Sequence, residues 1–185
     1  RDLIGEEYQK KRCLEKQLME VWRRWGYEAV MTPMLEYYQT FSLAQMKDEE
    51  MYKILDPSNR ILTLRSDMTI PIARVATSKY KDDTGALRFC YCANVFKQRE
   101  TMRGNQNEST DCGVELLGVG APYGDVEILA CALDALSVLQ NVRYTLEIGN
   151  RNFFRTACEL LKLDLATSNH LAELINRKQL KELDD

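Results

Sequence analysis

The chain has 185 residues, 45% hydrophobic and 29% charged, with a formal net charge of −3. That length suits one domain, or one large domain with a small appendage, and the apolar fraction can build a core. Lys and Arg are interleaved with Asp and Glu, so the basic stripe of a nucleic-acid-binding surface is missing, and no apolar run approaches the ~18 residues that cross a bilayer.

The first segment is predicted to be a long helix, because Leu14, Leu18, Val21, Trp22 and Trp25 recur at helical spacing with charges opposite. Gly26 ends it after a basic last turn, Arg23 and Arg24. A short strand is expected from Tyr27 to Met31, stopped by Pro33, then a short helix from Glu36 to Phe41. Met51 to Leu55 and Ile61 to Arg65 read as a hairpin around Asp56-Pro57-Ser58-Asn59. Thr69 is placed to cap the next helix, with Pro71 in its first turn, running to Tyr80.

Leu87 to Lys97 reads as a long strand, Gln98 to Asn107 as a polar hairpin loop, and Ser109 to Leu117 as the returning strand. A helix is expected from Asp125 to Gln140 with Leu129, Leu133 and Leu136 on its apolar face. Tyr144, Leu146 and Ile148 alternate with polar residues and predict a half-buried strand, and the remainder from Arg151 is helical and charged. Hairpins dominate the middle of the chain. The expected fold is therefore α+β, a mainly antiparallel sheet flanked by helices, with a core domain over 1–150 and a helical segment over 151–185.

The six cysteines, at irregular spacing, do not form a disulfide framework and are expected to be reduced thiols. Cys90 and Cys92 would share one face of a strand, but a metal site needs more partners. Asp48-Glu49-Glu50 reads as a solvated face, Tyr37-Tyr38 as packing, and Gly118-Val119-Gly120 as a turn.

Trp25-Gly26-Tyr27-Glu28 followed by Thr32-Pro33-Met34-Leu35-Glu36 resembles motif 1 of class II aminoacyl-tRNA synthetases in its histidyl form. Leu62-Thr63-Leu64-Arg65-Ser66-Asp67-Met68-Thr69 is similar to the histidyl segment that forms part of the amino-acid pocket. Histidyl synthetases usually read Arg-Pro-Glu-Gly-Thr there. The regulatory subunits of ATP phosphoribosyltransferase usually read Arg-Pro-Asp-Met-Thr, which this chain follows except for Ser66 in place of the proline. Ile70-Pro71-Ile72-Ala73-Arg74, Leu87-Arg88-Phe89-Cys90-Tyr91-Cys92 and Gly113-Val114-Glu115-Leu116-Leu117-Gly118 also resemble that regulatory family. The chain stops before motif 3 and is expected to be a fragment.

The resemblance implies a class II synthetase-like core and puts motif 2 at Val95 to Asp111. Adenylation brings a carboxylate and the ATP α-phosphate together. It needs an arginine fork on the phosphate and Mg²⁺ held by carboxylates. Lys97 stands at the position of the family's phosphate-binding arginine, where it keeps the charge but loses the bidentate geometry. Arg99 stands where the family has an acid, and Asn105 and Asn107 stand where the loop carries arginines. No catalytic residue, metal ligand or cofactor is expected.

The amino-acid pocket is better preserved. Asp67 and Thr69 fall where the family holds the ligand's ammonium, Asp111 replaces a glutamine beside it, and Glu115 falls at the imidazole. The resemblance thus implies a histidine site without the means to activate histidine. The structural alternative is that Asp67 caps the helix at Thr69 and Glu115 pairs with a neighbouring arginine. As the family implies, the chain would be a cytoplasmic, non-catalytic subunit, dimeric through motif 1. It would assemble with the short catalytic ATP phosphoribosyltransferase, activate it and transmit feedback by L-histidine, without nucleic acid or membrane as partner. The rival expectations are a divergent histidyl-tRNA synthetase, or another amino-acid-activating paralogue, and a purely structural dimerisation module.

Overall fold

The computed structural model describes residues 2–44, 47–99, 106–140 and 142–177. It divides into two compact units, Arg1–Asn141 and Val142–Asp185. The division falls before the alternating segment at 144–148, whereas the sequence reading put the boundary at 150.

The first unit begins with α1 (Gly5–Arg24), whose first turn carries Glu6 and Glu7 and whose last carries Arg23 and Arg24. This arrangement complements the helix dipole. Gly26, at φ +83°, provides the left-handed residue past the helix end. Val21 and Trp22 are buried, with Leu18 and Trp25 packed alongside, so the predicted stripe is the core face.

Two three-stranded sheets follow. In one, β1 (Glu28–Ala29) runs parallel to β5 (Leu87–Phe96), which pairs antiparallel with β6 (Glu108–Leu117) along its whole length. In the other, β2 (Leu35–Tyr37), β3 (Lys53–Leu55) and β4 (Ile61–Leu64) lie in the order β2-β4-β3, all antiparallel. The α+β class is as expected, with one short parallel pairing added. Glu36 belongs to β2 rather than to a helix, because it pairs with Thr63, and the short helix α2 starts only at Tyr38 (Tyr38–Ser42). The turn between β3 and β4 is fixed by Asp56, whose carboxylate accepts from the Ser58 and Arg60 amides at 2.8 and 2.9 Å.

Alternate residues of β5 face opposite layers, as the strand's period requires. Phe89 and Val95 pack with Met68 and with Ile72 of α3 (Thr69–Lys79). Cys90 packs with Val21, Trp22 and Tyr27, and with Cys131 and Ala135 of α4 (Tyr123–Leu136). The expected leucine face of α4 is not its core face. Leu133 is 45% exposed, while Cys131 and Ala135 are buried. Small residues belong there because α4 lies against the bulky indole and phenol rings of α1 and Tyr27. Polar ties fix that contact: Trp25 Nε1 donates to Asp134 at 2.9 Å, and Glu127 accepts from Arg88 at 2.7 and 2.8 Å and from the Tyr27 hydroxyl at 3.1 Å.

The cysteine expectation is corrected in one place. Cys92 and Cys112 face each other across β5 and β6 and are joined as a disulfide, whereas Cys13, Cys90, Cys131 and Cys158 are free. Strand register created this pair, and spacing along the chain did not reveal it.

In the second unit the strand expected at 144–148 does not form, and Tyr144 and Ile148 are 48% and 69% exposed. Alternation prepares a face, but a strand needs a neighbour to complete its ladder, and no other strand lies among this unit's described residues. The unit consists of α5 (Arg151–Leu160), capped by the Asn150 side chain on the Asn152 amide at 2.9 Å, and α6 (Leu165–Arg177). Among its described residues, Cys158 and Leu174 are buried.

Candidate functional site

The site forms where the start of α3 meets the exposed part of the β5–β6 face. Asp67 stands just before α3, and its Oδ1 accepts from the Ile70 amide at 3.0 Å. The capping role therefore belongs to Asp67, the structural alternative the sequence offered for this residue, and not to Thr69, which already lies inside the helix, where its hydroxyl is free to turn outward. Thr69 Oγ1 donates to Glu115 Oε1 at 2.7 Å. The arginine partner considered for Glu115 is thus replaced by a threonine on the facing helix.

The register of β5 and β6 sets the rest. Phe89 lies opposite Glu115, Tyr91 opposite Gly113 and Ala93 opposite Asp111. Asp111, Gly113 and Glu115 share one face at alternate positions, the face that packs Phe89 against α3. Tyr91 lies across Gly113 so closely that a Cβ there would stand 2.7 Å from the phenol oxygen and 2.9 Å from Cζ. Burial first, then the nearby carboxylates of Glu115, Asp111 and Asp67, pushes the Tyr91 hydroxyl up to about 12. The hydroxyl is therefore protonated throughout the physiological range. Sequence reading missed Tyr91 and Gly113; the one signal that could have found them was the pairing of the two strands, which aligns both with Asp111 and Glu115.

Burial raises the Glu115 carboxyl above its ordinary range, the Thr69 hydrogen bond opposes this, and Asp67 adds to it. A carboxyl raised in the folded state favours folding below its ordinary pKa, and that contribution disappears as pH rises through the folded value. Glu115→Gln keeps an acceptor for Thr69 and removes the titration. Measured by urea unfolding, the stability of this variant relative to wild type is expected to increase from about pH 4 to about pH 7. A flat or falling difference would contradict the assignment.

Lys97 and Arg99 follow the end of β5. Asn107 holds this stretch: its carbonyl accepts from the Lys97 amide at 2.8 Å and its side-chain oxygen from the Arg99 amide at 3.2 Å. Among the described residues, no hydrogen bond or ion pair joins the side chain of Lys97 or Arg99 to Asp67, Asp111 or Glu115. Asn105 lies outside the described residues. Asp67, Thr69 and Glu115 are brought together, Asp111 joins them through its proximity to Tyr91, and the two cations are not part of the cluster. The arrangement suits a ligand bearing positive charge and hydrogen-bond donors. Among the described residues no group of acids, cysteines or histidines is placed to hold a metal ion, and no helix is long and apolar enough to cross a membrane.

The family model for histidyl-tRNA synthetase matches residues 1–185. The curated ATP phosphoribosyltransferase regulatory subunit of Acetivibrio thermocellus is 38% identical over 186 residues, covering 100% of this chain and 44% of that protein. A crystal structure described as an ATP phosphoribosyltransferase regulatory subunit/histidyl-tRNA synthetase from Bacillus halodurans superposes with a TM-score of 0.90 at 30% identity, over 98% of this chain and 47% of that one. A histidine–tRNA ligase subunit from Alicyclobacillus acidocaldarius gives a TM-score of 0.82 at 23% identity, over 99% of this chain and 54% of that one, a likeness of fold alone. The chain spans less than half the length of the curated relatives it matches.

Proposed function

The chain belongs to the histidyl-tRNA synthetase family, and on that premise we propose that it acts as a regulatory subunit of ATP phosphoribosyltransferase rather than as a synthetase. Relatives 33% to 38% identical along all or nearly all of this chain bear that name. In this reading it is a non-catalytic cytoplasmic protein that assembles with the short catalytic chain, is required for its activity and carries feedback by L-histidine on the first step of histidine biosynthesis.

The observation that carries the reading is the separation within the site. Asp67, Thr69 and Glu115 stand together, suited to an ammonium and an imidazole, while Lys97 and Arg99 replace the arginine and acid that steady a triphosphate. A site of this kind recognises a small zwitterion and cannot adenylate it. Feedback then requires histidine to bind one assembly state better than the other. The exposed Met31 and Met34, 93% and 47% accessible within the motif 1 segment, support a homodimer through that surface.

The rival favoured by the family model's own description is a divergent histidyl-tRNA synthetase. Two measurements on the full-length polypeptide separate them. The regulatory subunit is expected to co-purify with the short catalytic chain and raise its rate, and to give no histidine-dependent exchange of pyrophosphate into ATP. Exchange above background would establish the synthetase, and failure to alter the catalytic chain's rate would refute the regulatory role.

A further inference from the structure

We infer that Tyr91 is a ligand-contacting residue of this pocket and that position 113 is glycine to keep its ring out of the ligand's space. The inference rests on the proposed histidine site and gives a role in it to a residue to which the family resemblance assigned none. Three observations carry it. The Tyr91 ring lies directly over Gly113: a Cβ at position 113 would stand 2.7 Å from its oxygen, 2.9 Å from Cζ and 3.4 Å from Cε1. Any side chain there would push the ring away from the sheet, into the space above Asp111 and Glu115 on the same face.

Second, the hydroxyl makes no hydrogen bond to another described residue and is not among the fully buried unpaired side-chain atoms, so its oxygen is open to the space above the sheet, where a ligand can reach it. Its nearest ionisable neighbours are Glu115 and Asp111 on the same sheet face and Asp67 at the start of α3. All three are acceptors, and none is within hydrogen-bond reach of the phenol. Third, the contrast with Tyr27 on the opposite face is direct: that hydroxyl is tied to Glu127 at 3.1 Å and serves the fold. The Tyr91 hydroxyl has no such structural duty.

A ligand lying between Glu115 and Asp111 passes over the phenol and takes the place of solvent at its hydroxyl. The ligand's carboxylate is repelled from this spot by the three acids, so the group that meets Tyr91 is a nitrogen of the ring or the ammonium. The phenol, neutral at physiological pH, offers both an O–H and a lone pair there without adding charge.

Isothermal titration of L-histidine into the full-length polypeptide, paired with melting of the ligand-free protein, tests this in wild type, Tyr91→Phe, Gly113→Ala and Asp67→Asn. Tyr91→Phe is expected to weaken histidine binding about 3- to 10-fold, the worth of one neutral hydrogen bond. The melting temperature without ligand should stay nearly unchanged, since no hydrogen bond within the protein is lost. Gly113→Ala should abolish binding, and Tyr91→Phe keeps the test decisive if that variant fails to fold. Full affinity in Tyr91→Phe alongside lost binding in Asp67→Asn would overturn the role of Tyr91 and leave the histidine site standing. A lowered melting temperature in ligand-free Tyr91→Phe would also overturn it, by revealing a structural role. No binding by wild type would overturn the histidine site and this inference with it.

Discussion

Arg65→Met is expected to destabilise the chain by about 3 kcal/mol, more than a surface charge could contribute. Arg65 is 6% exposed and joins the two sheets. Its Nε donates to the Asn94 carbonyl of β5 at 2.8 Å, and its Nη1 donates to the Thr32 carbonyl at 2.7 Å. Its backbone continues the bridge, its amide donating to Met34 at 3.0 Å and its carbonyl accepting from Phe96 at 2.9 Å. Burial lowers the guanidinium's pKa, and the carboxylate of Glu36 opposes that.

Methionine fills much of the volume but leaves a buried carbonyl, at Thr32, and a partly buried one, at Asn94, without donors, the buried one worth about 1–3 kcal/mol. Arg65→Lys should recover only part of the loss, because one ammonium lacks the planar fork that serves two carbonyls in different directions. Equilibrium urea unfolding at neutral pH gives the comparison. Losses below about 1 kcal/mol would mean that water replaces the guanidinium without penalty.

Trp22→Ala is expected to cost about 3–5 kcal/mol. Trp22 is 5% exposed at the centre of the cluster formed by Val21, Tyr27, Cys90, Cys131 and Ala135. Its partners on α4 are a cysteine and an alanine, too small to collapse into the vacated space, so most of the cavity should persist. Trp22→Phe, which keeps a ring, should lose less than half as much. The same unfolding experiment decides it, and a Trp22→Ala variant as stable as wild type would show that α1 and α4 are not held together by this contact.

How far the site could be read from the chain depends on the range of the interactions that build it. The helix carrying Trp22, the hairpin turn at Asp56 and the long strands at 87 and 109 follow from local signals: helical spacing, a carboxylate before Pro-Ser-Asn, and β-favouring runs. Asp67, Thr69 and Glu115 were accessible through motif resemblance, and their contact at 2.7 Å is a geometric fact of the fold. Local rules offered two capping residues at α3, Thr69 and Asp67, both good cappers, and only the helix's actual starting point selects Asp67. They also gave a strand at 144–148, where the pattern lacks a neighbouring strand, and a leucine face on α4, where close packing against aromatic rings selects small residues instead.

The sequence by itself determined the kind of chain this is: its helices and hairpins, its family, and the substitutions at Lys97 and Arg99 that argue against adenylation. Only the tertiary structure decided which distant residues meet. The pairing of β5 with β6 laid Tyr91 over Gly113 and joined Cys92 to Cys112, and the docking of α3 brought Thr69 to Glu115. Periodicity is a property of neighbours along the chain, whereas register and docking are settled by burial summed over surfaces far apart in sequence, and no short stretch of residues contains that sum.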